Sequence, residues 1–235
     1  MSDNQRGYGE LLRLGAVVAM IVAALIAAAV VLYFIWPYAI GRLTTPEILQ
    51  YLHDEPFAAL VSLDLSMVIL GPINIIVFIA FYVTLRRESP SWALVALVLG
   101  ILAIPMVITA RPLFELLDLG HAYVAADSQS AREATVIIAD GLLLYFEGTA
   151  WILQTLLFLI PGLIFSLLMR RSPIFSPAIA WFGIIITAVG FGFLIPGLGL
   201  VLLLINTAGT IVWYPIVARR LWRAAGEQWA FADSR

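Results

Sequence analysis

The stretch SPIFSPAIAWFGIIITAVGFGFLIPGLGLVLLLINTAGTIVWYPIVA, residues 172–218, decides the fold, because its 47 residues include no acidic, basic or histidine side chain. A single helix of that length would measure about 70 Å, more than twice the roughly 30 Å of a bilayer's hydrocarbon layer. The stretch therefore predicts two membrane-spanning helices. The break between them is expected at Pro196 and Gly197, which are residues that interrupt helices.

The rest of the chain has the same apolar character. Hydrophobic residues make up 63% of the sequence and charged residues 12%, whereas a soluble domain averages about 25% charged residues. We predict an all-α, polytopic membrane protein with six transmembrane helices, forming a single membrane domain over residues 1–235. The predicted spans are about 12–36, 57–85, 91–114, 142–169, 177–195 and 198–218.

Several kinds of chemistry are excluded by composition. The chain has no cysteine, which excludes disulfides, thiolate catalysis and cysteine-ligated metals. All 13 basic residues are arginine, so no lysine is present to form a Schiff base. The net charge of −2 and the lack of a basic, aromatic stripe argue against nucleic acid. We expect no catalytic residue, no cofactor and no resident metal, and we lean against an enzyme.

The arginines predict the orientation. Ten of the thirteen fall on one side of the predicted spans, and that side also carries both termini. Because cytoplasmic loops are enriched in basic residues, we predict a multi-pass protein of a cell membrane, specifically a bacterial inner membrane, with both termini cytoplasmic. The ten are Arg6, Arg13, Arg86, Arg87, Arg170, Arg171, Arg219, Arg220, Arg223 and Arg235.

The opposite, outer side carries most of the acidic residues. In the first outer loop, TTPEILQYLHDEP (44–56) predicts a short interfacial helix with Thr45 as its cap and Pro46 at its first helical position. The second outer segment, 115–141, is long and acidic and predicts a structured outer cap.

The arginine pairs mark the predicted inner surface of the membrane, so the number of residues from each pair estimates how far a residue lies across the bilayer. Asp64 lies 22 residues before Arg86, Arg111 lies 24 residues after Arg87, and Glu147 lies 23 residues before Arg170. At 1.5 Å per residue these separations are about 33–36 Å, slightly more than the hydrocarbon thickness. Three ionisable residues on three predicted helices therefore lie at one level, the outer edge of the membrane.

Two interpretations of these three residues stay open. In the first, Asp64 pairs with Arg111 to lock two helices or is simply hydrated. In the second, Asp64 joins Arg111 and Glu147 in an outward-facing polar pocket. The fourth span favours the pocket, because Glu133, Asp140, Glu147 and Gln154 recur every seven residues on one stripe, and Trp151 leans the same way. A polar stripe inside the bilayer must face protein or water. The candidate ligand-binding residues are Asp64, Arg111, Glu147, Trp151 and Gln154.

Other polar residues are less favoured candidates for a functional site. Glu115, Asp118 and His121 share a three-residue spacing in the second outer segment, which is a minor alternative as a metal site. Asn74 and Asn206 are predicted near mid-bilayer, where an interhelical amide bond is usually structural.

Four features of the layout stand together: the turns FYVTLRRESPSWAL (81–94) and MRRSPIFSPAIAWFGIIITAVG (169–190), the interfacial segment after span one, and the polar entry to span four. With these features the chain resembles a family of bacterial six-helix membrane proteins known only as a domain of unknown function. Such relatives carry an acidic residue in span two, a position that Asp64 matches. They also carry an arginine early in span three, where this chain is apolar and Arg111 comes later. The resemblance implies a six-helix fold and brings no activity with it.

The sequence leaves two main hypotheses. The first is binding or transport of a small polar molecule or a lipid headgroup through the outward-facing pocket. The alternative is an accessory or scaffold subunit of a larger membrane complex, with the charges serving helix packing. The predicted partners are the lipid bilayer, a lipid or small-molecule ligand for the first hypothesis, and a membrane protein for the second.

Overall fold

The structure is a computed structural model that describes residues 3–226, with side chains from residue 8 onward. Within that range every regular element is helical, and no strand is present. Two short 3₁₀ turns, Leu144–Phe146 and Phe191–Leu194, extend α7 and α9. The α-helices are α1 Asp3–Ile35, α2 Thr45–Asp54, α3 Pro56–Ser62, α4 Leu65–Leu85, α5 Pro90–Thr109, α6 Leu113–Ala125, α7 Gln129–Leu143, α8 Thr149–Met169, α9 Pro177–Gly190 and α10 Gly199–Gly226.

Six segments of the described chain are long and apolar enough to cross a membrane, which confirms the all-α, polytopic fold. The break predicted inside 172–218 is also present, because α9 and its 3₁₀ turn end at Leu194 and α10 begins at Gly199. Gly197 has a φ of +78°, a left-handed conformation that glycine adopts without steric cost. The six segments are Tyr8–Ile35, Leu65–Leu85, Pro90–Ala125, Gln129–Met169, Pro177–Leu194 and Gly199–Gly226.

Three predicted spans are interrupted rather than continuous. In the span expected over 91–114, α5 ends at Thr109 and α6 begins at Leu113. The second span, expected as one helix over 57–85, consists of α3 and α4 separated at Leu63 and Asp64. The stripe that carries Glu133, Asp140, Glu147 and Gln154 is likewise broken at 144–148, where a 3₁₀ turn is followed by Glu147 and Gly148. Heptad spacing could not reveal these breaks, because it assumes the helical geometry that the breaks remove.

The short helix predicted in the first outer loop is α2. Its N-cap is Thr44, one residue before the predicted Thr45, and Pro46 lies in its first turn. The carboxylate of Glu47 accepts hydrogen bonds from the backbone nitrogen of Thr44 at 2.7 Å and from its hydroxyl at 2.8 Å. These two hydrogen bonds fix where the chain enters the helix.

The chain divides into two compact units, and their charges differ in sign. The unit made of Ala28–Gly71 and Ile104–Gln154, here the acidic unit, has ten acidic residues and three arginines. The unit made of Met1–Ala27, Pro72–Ala103 and Thr155–Arg235, here the arginine-rich unit, has ten arginines and five acidic residues. The formal charges are thus −7 and +5, which sum to the −2 of the whole chain.

The acidic unit has its own apolar core, built mainly from α2, α3 and α6. Leu49 and Leu52 of α2 and Leu116 of α6 are completely buried. At Gly120 of α6, a Cβ would lie 2.9 Å from the carbonyl oxygen of Leu49 and 2.9 Å from the Cβ of Leu52. A residue without a side chain therefore lets α2 and α6 pack closely.

The arginine-rich unit is held by aromatic packing and neutral hydrogen bonds. The Tyr214 hydroxyl donates to Asn74 Oδ1 at 2.8 Å, and Asn206 Nδ2 donates to the carbonyl oxygen of Ile186 at 2.8 Å. The indole of Trp213 donates to the carbonyl oxygen of Ile179 at 2.9 Å. Both asparagines predicted near mid-bilayer thus make interhelical hydrogen bonds.

Candidate functional site

A buried ion pair between Asp64 and Arg111 lies at the centre of the candidate site. Arg111 Nη2 donates to Asp64 Oδ2 at 2.8 Å, and Nε donates to the same oxygen at 3.0 Å. The Arg111 side chain is 3% exposed and that of Asp64 is 11% exposed. A guanidinium that presents two donors to a carboxylate makes one of the stronger hydrogen-bonded pairs in proteins.

Asp64 occupies the break between α3 and α4 in an unusual backbone conformation. Its φ is +77°, the left-handed region, which costs most residues about 1–2 kcal/mol and is tolerated best by glycine, asparagine and aspartate. Its second oxygen, Oδ1, accepts from the hydroxyl of Tyr33 near the end of α1 and from Ser66 Oγ at 3.4 Å. Strained backbone of this kind is frequent at functional sites.

Arg111 lies in a second break, two residues after the end of α5 and two before α6. Its remaining nitrogen, Nη1, donates to the carbonyl oxygen of Ala110 at 3.0 Å and to that of Phe146 at 3.4 Å. The guanidinium carbon lies 4.9 Å from the centre of the Phe146 ring, a cation–π contact. All three guanidinium nitrogens are thus engaged in the described structure.

Asp64, Arg111 and Glu147 each lie beside one end of a helix of membrane-spanning length. Asp64 directly precedes the 21 residues of α4, Arg111 follows the 20 residues of α5, and Glu147 precedes the 21 residues of α8. Each helix is about 30 Å long, which matches the hydrocarbon layer. The three ionisable residues lie at helix ends opposite the arginine turns.

The other predicted site residues have different environments. The side chain of Glu147 is exposed, and Trp151 is half-buried on the first turn of α8. Gln154 is 3% exposed, and no donor in the described part of the chain reaches its Oε1. A buried amide oxygen without a partner is uncommon, because its desolvation is not compensated.

Tyr38, just after α1, lies in the electrostatic field of all three charges. Burial raises the pKa of its phenol to about 12; Arg111 opposes that shift, while Asp64 and Glu147 add to it. The ring of Tyr38 also meets that of Tyr33 edge to face, with centroids 6.5 Å apart. Two tyrosines therefore border the ion pair on the side of α1.

Sequence reasoning missed Tyr33, Tyr38, Ser66 and the Phe146 carbonyl. Tyr33 could have been found by the same measure of distance from an arginine, since it lies 20 residues after Arg13 and thus about 30 Å along α1. The Phe146 carbonyl could not, because it becomes available only where the helix breaks at 144–148.

Comparisons with known proteins found no match to a protein family, a curated protein or a solved structure. The fold defines the class, an all-α multi-pass membrane protein. The resemblance to six-helix bacterial proteins of unknown function stays a prediction. A function has to be inferred from the ion pair and its surroundings.

Proposed function

We propose that the protein binds or transports a small polar molecule or a lipid headgroup at the Asp64–Arg111 site, and that the ligand carries a carboxylate or phosphate. The single observation that carries this proposal is that Asp64 and Arg111 pair where two membrane helices are interrupted. Transporters form substrate sites at interrupted helices, where polar side chains and free backbone groups face protein or a water-filled cavity.

The chemistry of Arg111 supports the choice of ligand. Its Nε and Nη2 present the planar edge that recognises carboxylates and phosphates, and Asp64 occupies that edge. In this proposal Asp64 is the resident carboxylate that a ligand displaces. Tyr33 and Ser66, which donate to Asp64, would hold it after displacement.

The proposal includes a location and an orientation. The protein lies in the inner membrane of a bacterium, with both termini cytoplasmic and the ion pair at the outer edge. The segregation of charge supports this orientation, because the arginine-rich unit contains the helix turns at Arg86 and Arg170.

The second candidate is an accessory or scaffold subunit in which the pair only locks the helices. The completeness of the network favours it, since every nitrogen of Arg111 already has an acceptor. Exposed apolar side chains on α7 offer a contact for a partner, because Ile137 is 71% and Ile138 is 56% exposed.

Two variants distinguish the candidates by the sign of their effects. Asp64→Asn should weaken the contact that occupies the Nε and Nη2 donors of Arg111 and so raise the occupancy of an anionic ligand. Arg111→Gln should abolish binding of that ligand. Arg132→Gln, on the exposed face of α7, is the matched control and should behave as wild type. Native mass spectrometry of gently purified protein measures co-purified ligand, and thermal titration with inorganic phosphate and with acetate measures binding.

A binding role is contradicted if no variant changes either readout, or if Asp64→Asn and Arg111→Gln lose ligand equally. If Asp64→Asn and Arg111→Gln only lower the melting temperature, and a second protein co-purifies with the wild type, the scaffold role replaces the binding role.

The orientation has its own test. Because the chain has no cysteine, a single introduced cysteine is its only thiol. A membrane-impermeant maleimide added to intact cells should label Ser130→Cys, in the first turn of α7, and spare Ser89→Cys, in the turn after α4. The reverse pattern would overturn the orientation and leave the ion pair untouched.

A further inference from the structure

We propose that His53 and His121 form a two-histidine site for a divalent transition-metal ion of the Zn²⁺ class. They are the only histidines in the chain and lie 68 positions apart in the sequence, one near the end of α2 and one in α6. The fold brings their rings together, with centroids 5.6 Å apart. This site is independent of the proposed function at Asp64 and Arg111.

The separation of the rings fits a shared ion. A Zn–N bond is about 2.0–2.1 Å, so two imidazoles on one tetrahedral ion place their ring centroids roughly 5–5.5 Å apart. The observed rings meet edge to face, at an interplanar angle of 83°. One ring must turn about χ2 to bring both nitrogens to one point, and that torsion is broad for histidine. Both side chains are exposed, so solvent leaves room for the turn.

The backbone beneath the pair is fixed by packing. His121 follows Gly120, whose missing side chain lets α6 approach the carbonyl of Leu49, and His53 lies one turn after Leu49 on α2. Leu49 and the neighbouring Leu52 are completely buried. A close, apolar helix contact thus holds the two Cα positions, which lowers the entropy lost when an ion binds.

The ligand set selects the kind of metal. Neutral imidazole suits Zn²⁺, Cu²⁺ and Ni²⁺, whereas Mg²⁺ and Ca²⁺ prefer oxygen ligands. Within the described residues no group of three histidine or acidic side chains could hold an ion, so the minor alternative of Glu115, Asp118 and His121 as one metal site is not supported. Water would complete the coordination of an ion held by the two histidines.

The test uses protein purified without a polyhistidine tag. We expect Zn²⁺ to raise the apparent melting temperature saturably, because a ligand that binds only the folded state stabilises it. Calorimetric titration should give one ion per chain, and Mg²⁺ should have no comparable effect. His53→Asn and His121→Asn should each remove the Zn²⁺ shift, whereas Asp127→Asn, an exposed change in the loop before α7, should keep it.

The proposal is overturned if Zn²⁺ produces no saturable shift, or if the shift survives in the His53→Asn/His121→Asn protein, since acidic surface groups would then hold the ion. Because both histidines are exposed, the variants should fold; equal melting temperatures without metal check this. If a histidine variant melts at a lower temperature than the wild type, its Zn²⁺ binding is measured by calorimetry at a temperature where it is still folded. If that variant still binds one Zn²⁺ per chain, the proposal is also overturned.

Discussion

The two units differ in how they treat polar groups inside an apolar chain. The acidic unit buries a full ion pair, Asp64 and Arg111, at the ends of two helices. The arginine-rich unit buries neutral groups within its helices, where Asn74 meets the hydroxyl of Tyr214 and Asn206 meets a backbone carbonyl. The arginines of this unit within the described residues lie near the start of α1, in the turns after α4 and α8, or toward the end of α10.

The difference follows from the cost of desolvation. A neutral amide or phenol can be buried when one hydrogen bond compensates it, whereas a charge needs a partner and several hydrogen bonds. Asp64 and Arg111 meet that requirement at breaks, where backbone carbonyls and the Tyr33 hydroxyl are available. Helix interruption in the acidic unit is therefore the condition that allows charge to be buried.

The largest expected effect comes from removing one charge of the pair. Asp64→Ala leaves Arg111 buried and unpaired and forces alanine into a left-handed conformation, so we expect a loss of about 3–5 kcal/mol in the free energy of unfolding. Asp64→Asn tolerates that conformation and still accepts from Tyr33, so it should lose less. Unfolding in detergent micelles measures both.

A double-mutant cycle sharpens this prediction. Asp64→Asn combined with Arg111→Gln removes both charges and should be more stable than the sum of the single losses predicts. Additive losses would mean that the two residues stabilise the unit independently, which contradicts the pair as the organising contact.

The next effect compares two phenols directly. Tyr33→Phe removes a hydrogen bond to the Asp64 carboxylate, which should cost about 1.5–3 kcal/mol, as for a charged partner. Tyr214→Phe removes a bond to the neutral amide of Asn74, and such bonds inside membranes average about 0.6 kcal/mol. Chemical or thermal unfolding measures both losses of stability. Equal losses for the two variants would contradict the difference between the two units.

The sequence predicted the positions of Asp64 and Arg111 along their helices better than their contacts, and their level in the membrane stays a prediction. Helix rise and arginine positions fixed where Asp64 and Arg111 lie along their helices, and opposite charge at equal depth made pairing one of two expectations. The left-handed turn at Asp64 and the break at 144–148 depend on local backbone angles, which apolar periodicity does not encode. Glu147 is exposed for that reason, although its spacing aligned it with Gln154.

A third prediction concerns the packing of α2 against α6 in the acidic unit. Gly120→Ala places a Cβ 2.9 Å from the Leu49 carbonyl, so overpacking should cost about 1–3 kcal/mol, partly offset by better helix propensity. Gly141→Ala is the control on α7, where a Cβ meets nothing within 4 Å and should stabilise by up to about 1 kcal/mol. Two changes of the same sign would rule out close contact at Gly120.

The smallest effect is expected at the start of α2, where a charge of the acidic unit is exposed. Hydrogen bonds from the backbone and hydroxyl of Thr44 hold the pKa of Glu47 below its usual range. A carboxyl whose pKa is lower in the folded state contributes stability above its unfolded pKa of about 4.3 and loses it as the pH falls through the folded value. The melting temperature of wild type should therefore exceed that of Glu47→Gln at neutral pH, and the gap should close on acidification. A gap that widens in acid would show that the Thr44 contacts do not stabilise the charged carboxylate.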